Sequence, residues 1–168
     1  MIARGDAEIA IAGGADAPVT ALAMASFTAT GLSSFRNDEP ETASRPFDLT
    51  RDSGVISEGA AVFVLEDLDR ARARGVTPYL EITGYAKQRD LTPAYPASGL
   101  ELSMKLALAN AGRTASDIDY ISAYGPGHPI LDAVETDIIK KVFGPRAYQV
   151  PVSSIKAVTG NPMAAGGP

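Results

Sequence analysis

The chain has 168 residues, enough for one domain with a core and too few for two full ones. Hydrophobic residues make up 45% and charged residues 21%, as in an ordinary globular chain, and the net charge of −5 argues against a basic nucleic-acid footprint. The absence of cysteine excludes disulfides, thiolate metal sites and a cysteine nucleophile within this chain.

No apolar run approaches the ~18 residues of a membrane span. Met1-Ile2-Ala3-Arg4-Gly5-Asp6 lacks the apolar core and cleavage pattern of a signal peptide, so a cytoplasmic location is the expectation. The G-x-G-x-x-G and G-K-[ST] contexts of phosphate loops are missing, the single histidine lacks a metal partner set, and no cofactor is expected.

In chain order, residues 7–12 form a mostly apolar run that predicts a buried strand closed by a Gly13-Gly14 turn. Residues 18–32 are small and apolar and predict a packed helix. Residues 33–54 are polar and turn-rich. Residues 60–66 are the clearest strand, and residues 67–74 a helix stopped by Gly75. Arg70, Arg72 and Arg74 are the candidate basic patch for an acidic partner, with a solvated helix face as the plainer reading.

Residues 79–85 alternate as a strand would, and residues 87–98 read as an irregular loop with two prolines. Residues 99–111 predict an amphipathic helix with Ser98 as N-cap and Gly112 as its stop. Residues 118–124 and 149–154 are further strands. Between them, Asp132 and Glu135 suit a capping-box start for a helix ending at Gly144. Strands alternating with helices predict an α/β fold with buried sheets.

Two strand ends each deliver a polar group toward one crevice. Tyr124 closes one strand before Gly125-Pro126-Gly127, and Lys156 follows the other in the run Ser153 to Asn161. Ligands bind at that edge of an open α/β sheet. Lys156 there can fix a carboxylate or form a structural ion pair. Asn161 before Pro162 suits a helix N-cap, and its amide also suits an oxyanion donor. Tyr124 reads as loop-base packing or as a phenol donating to a carbonyl, and with a pKa near ~10 it is a poor base. His128 reads as a surface loop residue.

These motifs, taken in order, resemble the elongating β-ketoacyl-acyl-carrier-protein synthases of the thiolase superfamily. Arg45-Pro46-Phe47-Asp48, Arg51-Asp52 with Glu58-Gly59-Ala60, and Val152-Ser153-Ser154 with Lys156 and Thr159-Gly160 carry the resemblance over essentially the whole chain. It implies a thiolase-like layered α/β/α architecture, expected to be incomplete at both ends. Residues 1–75 would be the end of the N-terminal half and residues 76–168 most of the C-terminal half. It implies that Tyr124 and Asn161 stand at the family's two histidine positions, with Lys156 as the motif lysine. The family's cysteine would precede the position of Met1.

The implied function is that of a divergent 3-oxoacyl-[acyl-carrier-protein] synthase-like protein of fatty-acid or polyketide biosynthesis. Its implied partners are acyl thioesters, acyl carrier protein and a second subunit in a homodimer or heterodimer. The alternative is a non-catalytic partner resembling a chain-length factor.

Overall fold

The computed structural model describes residues 1–90 and 97–167. Its first unit is an antiparallel pair, β1 (Ile9–Asp16) and β2 (Gly59–Glu66), in register from Ile9 opposite Glu66 to Asp16 opposite Gly59. The expected strand at 7–12 therefore starts later and runs through Gly13-Gly14 instead of turning there. Close backbone approach explains this: a Cβ on Gly13 would lie 2.3 Å from the Ala61 carbonyl oxygen.

The expectation of a buried strand is also corrected. Ile11 is 76% exposed, and Val62, Phe63 and Val64 of β2 are exposed too. α1 (Ala21–Ala29) begins where Thr20 Oγ1 accepts from the Ala23 amide, and among its residues none is buried, contrary to the packed helix expected.

α2 (Leu68–Ala73) is capped by Asp67, whose carboxylate accepts from the amides of Asp69 and Arg70. Arg70 pairs with Glu8 and Glu66, Arg74 with Glu66, and Arg72 lies 3.9 Å from Asp69. The three arginines thus face acids of their own unit, which favours the solvated-face reading over a free basic patch.

The strand expected at 79–85 does not form. A strand needs a ladder partner, and this segment has none among the described residues: Tyr79 and Leu80 stand in the open. Half of the 87–98 loop expectation, residues 91–96, lies outside the described residues. α3 (Ser98–Asn110) follows, with Ala97 in the left-handed region at its N-cap. Asp90 substitutes for the expected Ser98 cap by accepting from the amides of Ala97 and Gly99.

The second unit pairs β3 (Ile121–Ser122) in parallel with β4 (Val152–Ser153), both shorter than expected. α4 (Pro129–Phe143) connects them, as a parallel crossover requires. Ile139, Phe143 and Val150 form a buried cluster, joined by Met104 of α3 and by Ile118 and Ile121. A bridge between Ile56 and Asn161 ties the residues before β2 to this unit. α5 (Lys156–Thr159) and a 3-10 turn at Met163–Gly166 complete the described chain.

Candidate functional site

The loop from Tyr124 to His128 is shaped from beneath by two acids of α4. Glu135 accepts from the Tyr124 amide at 2.7 Å and the Gly125 amide at 2.8 Å. Asp132 accepts from the Gly127 amide at 3.1 Å and from the Phe47 amide at 2.8 Å, and Arg51 Nε stands 3.4 Å away. Asp132 is 0% exposed.

These carboxylates are not the expected capping box. α4 starts one turn earlier, at Pro129, so Asp132 and Glu135 lie inside the helix and turn toward the loop. Residue spacing predicted that they act together. It did not reveal that their partners are amides of the loop leading into the helix and of distant Phe47.

His128 is the actual N-cap. Its Nδ1 accepts from the amides of Ile130 at 3.1 Å and Leu131 at 3.3 Å. It is half-buried and lines a crevice together with Phe27, Ser53, Tyr124, Asn161 and Met163. This corrects the expectation of a surface loop residue. The loop folds back because Gly127 is held by Asp132 and takes a positive φ of 86°. Pro129 at the first helical position was the available signal for a cap at 128.

Tyr124 and Asn161, predicted as site residues, both line this crevice. Asn161 is not a helix N-cap: Pro162 occupies that place before the 3-10 turn. Instead its backbone is held as a strand bridge, donating to the Val55 carbonyl at 2.7 Å and accepting from the Ser57 amide at 3.1 Å. Its side-chain amide is thereby freed from capping and has no hydrogen-bond partner among the described residues.

Lys156, the third predicted residue, lies beside the crevice and does not line it. It is 4% exposed at the start of α5, with Nζ 5.0 Å from the centroid of the Tyr124 ring. That is cation–π range. Burial pushes its pKa below the ordinary 10.5, and the Glu135 carboxylate opposes that shift. Ser154 locks the two halves of the site together. Its hydroxyl reaches the carbonyl oxygens of Gly125 at 2.9 Å and Tyr124 at 3.2 Å, while its oxygen accepts from the Lys156 amide. Ser44 adds a hydrogen bond from its hydroxyl to the Lys156 carbonyl.

Phe47 carries no sequence signal that marks it as a site residue. It adopts a φ of 64°, unusual for a non-glycine residue, and its ring closes over Gly125. The hydrogen bond that the Phe47 amide donates to the Asp132 carboxylate offsets the cost of that conformation. The site as a whole offers a phenol, a carboxamide, an imidazole and a nearby cation. Such groups hold and polarise a carbonyl, and none of them is a thiol nucleophile.

Two family models cover the chain: "Beta-ketoacyl synthase, N-terminal domain" matches residues 1–71 and "Beta-ketoacyl synthase, C-terminal domain" residues 79–168. The chain is 43% identical to "3-oxoacyl-[acyl-carrier-protein] synthase 2" of Coxiella burnetii, aligning 99% of this chain with 41% of that protein. It is 44% identical to "Actinorhodin polyketide putative beta-ketoacyl synthase 1" of Streptomyces coelicolor, over 98% of this chain and 36% of that protein. It thus spans about two fifths of the length of these curated relatives.

Among solved structures, it resembles a type II polyketide acyl-carrier protein in complex with its ketosynthase bound to the hexaketide. The TM-score is 0.91 at 36% identity, covering 98% of this chain and 42% of that one. The ishigamide ketosynthase/chain length factor matches with a TM-score of 0.85 at 35% identity, covering 98% of this chain and 39% of that one. The fold is therefore the thiolase-like α/β fold of ketosynthases, and the chain belongs to the β-ketoacyl synthase family.

Proposed function

We propose that the protein carrying this chain is a divergent 3-oxoacyl-[acyl-carrier-protein] synthase-like protein of fatty-acid or polyketide biosynthesis. It binds acyl thioesters presented by acyl carrier protein and is a poor catalyst of ordinary decarboxylative condensation. In this reading residues 1–75 belong to the N-terminal half of the synthase fold and residues 76–168 to the C-terminal half. Tyr124, Asn161 and Lys156 are its site residues, and it works as a dimer.

The observation that carries the reading is the meeting of Tyr124 and Asn161 in one crevice, with buried Lys156 against the Tyr124 ring. By the family resemblance these two positions would hold imidazoles. A phenol and a carboxamide keep hydrogen-bond donors there but give up proton transfer near neutral pH. General acid–base and electrostatic contributions of that kind are each worth on the order of 10²-fold or more. The loop, its two acids and Ser154 still hold the donors in place, which suits binding more than turnover.

The test pairs two measurements on the whole protein. Binding of acyl-loaded carrier protein is followed by fluorescence anisotropy, and carbon dioxide release from malonyl-loaded carrier protein is followed in parallel with the Coxiella burnetii relative. The expected result is saturable binding with release slower by about 10³-fold or more. Release at the relative's rate would overturn the loss of condensation, and absence of binding would overturn the function.

A second reading, a non-catalytic subunit resembling a chain-length factor, draws on the likeness to the ishigamide ketosynthase/chain length factor. It predicts that acyl carrier protein binds only after a separate ketosynthase subunit is co-purified.

A further inference from the structure

We propose that His128 supplies the crevice with a hydrogen-bond donor, its Nε2–H, directed at the carbonyl oxygen of a bound acyl thioester. The inference deepens the function proposed above and rests on it.

His128 is the single histidine of the chain and is not one of the positions matched to the family's histidines. Its Nδ1 is occupied: it accepts from two successive amides at the first turn of a 15-residue helix. A nitrogen that accepts has a lone pair and no proton, so the neutral ring carries its proton on Nε2. Nε2 has no hydrogen-bond partner among the described residues, and the ring lines the same crevice as Tyr124 and the unpartnered Asn161 amide. Two unpaired donors on one small concave surface suit an oxygen with two lone pairs.

The same geometry limits what His128 does. While Nδ1 caps the helix, Nε2 holds the ring's proton and the ring is no base. The imidazole binds and polarises a carbonyl, and takes no proton from a substrate. The cap also fixes the ring's orientation before any ligand arrives, because moving it leaves two helix amides unsatisfied.

The experiment compares the whole wild-type protein with His128→Asn and His128→Ala. Asn retains N-cap capacity and loses Nε2, whereas Ala loses both. The probe is octanoyl-N-acetylcysteamine, an acyl thioester without carrier protein. Long-range ¹H–¹⁵N correlation spectra identify the His128 imidazole as the signal missing from His128→Asn.

The expected results are an Nε2–H tautomer, a shift of that signal on probe addition, and about tenfold weaker probe binding in His128→Asn at near wild-type stability. His128→Ala is expected to lose stability as well. An Nδ1–H tautomer would overturn the proposal. So would wild-type affinity in His128→Asn, with the binding function left standing. Failure of the wild-type protein to bind either the probe or acyl-loaded carrier protein would overturn both.

Discussion

Lys156 brings a charge into a nearly dry place, and its neighbours only partly compensate. The Tyr124 ring and the Glu135 carboxylate favour the ammonium, while burial disfavours it, and burial is the larger effect. A lysine with a lowered pKa is protonated more readily in the unfolded chain than in the fold. Between the lowered value and 10.5 the unfolded state therefore binds more protons, and stability rises with pH across that window. Lys156→Met should abolish this rise, which urea titrations of both proteins through the alkaline range just below 10.5 would reveal. An unchanged slope in Lys156→Met would assign it to other groups. Gly125 is constrained in a different way. Its φ is +37°, and a Cβ would lie 2.7 Å from Ser154 Cβ and 2.8 Å from the Phe47 ring. Gly125→Ala should cost about 1–3 kcal/mol through overpacking, plus backbone strain, read as a lower denaturation midpoint.

At the scale of elements, α4 does more than cross between two strands. Its inner face carries Ile138, Ile139 and Phe143 into the core, and its first turns carry the two acids that hold the site loop. Asp132 ties that loop to the segment at Phe47 and Arg51, joining the two units of the fold. Asp132→Ala leaves the Phe47 and Gly127 amides without their acceptor and Arg51 without its ion-pair partner, and removing one partner of a buried pair costs about 3–5 kcal/mol. Equilibrium unfolding should show that loss, whereas Asp69→Ala, which removes an exposed acid of α2, should change stability by less than about 1 kcal/mol. Glu135→Gln keeps the shape but turns an amide donor toward a backbone N–H. It should cost about 1–3 kcal/mol and weaken acyl thioester binding by displacing Tyr124. The existence of α4 was legible in its spacing, but its start was not. Asp132 and Glu135 offered a plausible cap, and only the fold showed that His128 and Pro129 begin the helix and leave the acids free to serve the loop.

For the molecule as a whole, the two units differ in how well they bury their apolar residues. The β3–β4 unit encloses a cluster around Ile139, Phe143 and Val150, whereas β1, β2, α1 and the segment at Tyr79 expose large apolar side chains. Contiguous exposed apolar surface of this kind marks an interface or an aggregation liability. The 168-residue chain expressed alone should therefore bind a hydrophobic dye and elute as oligomers or aggregate in size-exclusion chromatography. A monodisperse monomer without dye binding would contradict this. Local sequence carried the α/β class, the order of most elements and the motif spacing that picks out Tyr124, Lys156 and Asn161, because periodicity, caps and motif spacing are properties of neighbouring residues. It misjudged the strand at 79–85, since a strand exists only with a partner, and the Gly13-Gly14 turn, since a close backbone approach involves residues nearly fifty positions away. That His128 faces the crevice, that Asn161 caps nothing and that Lys156 lies against the Tyr124 ring emerge only once the chain is folded. Each of those depends on contacts between segments distant in sequence, which no local pattern encodes.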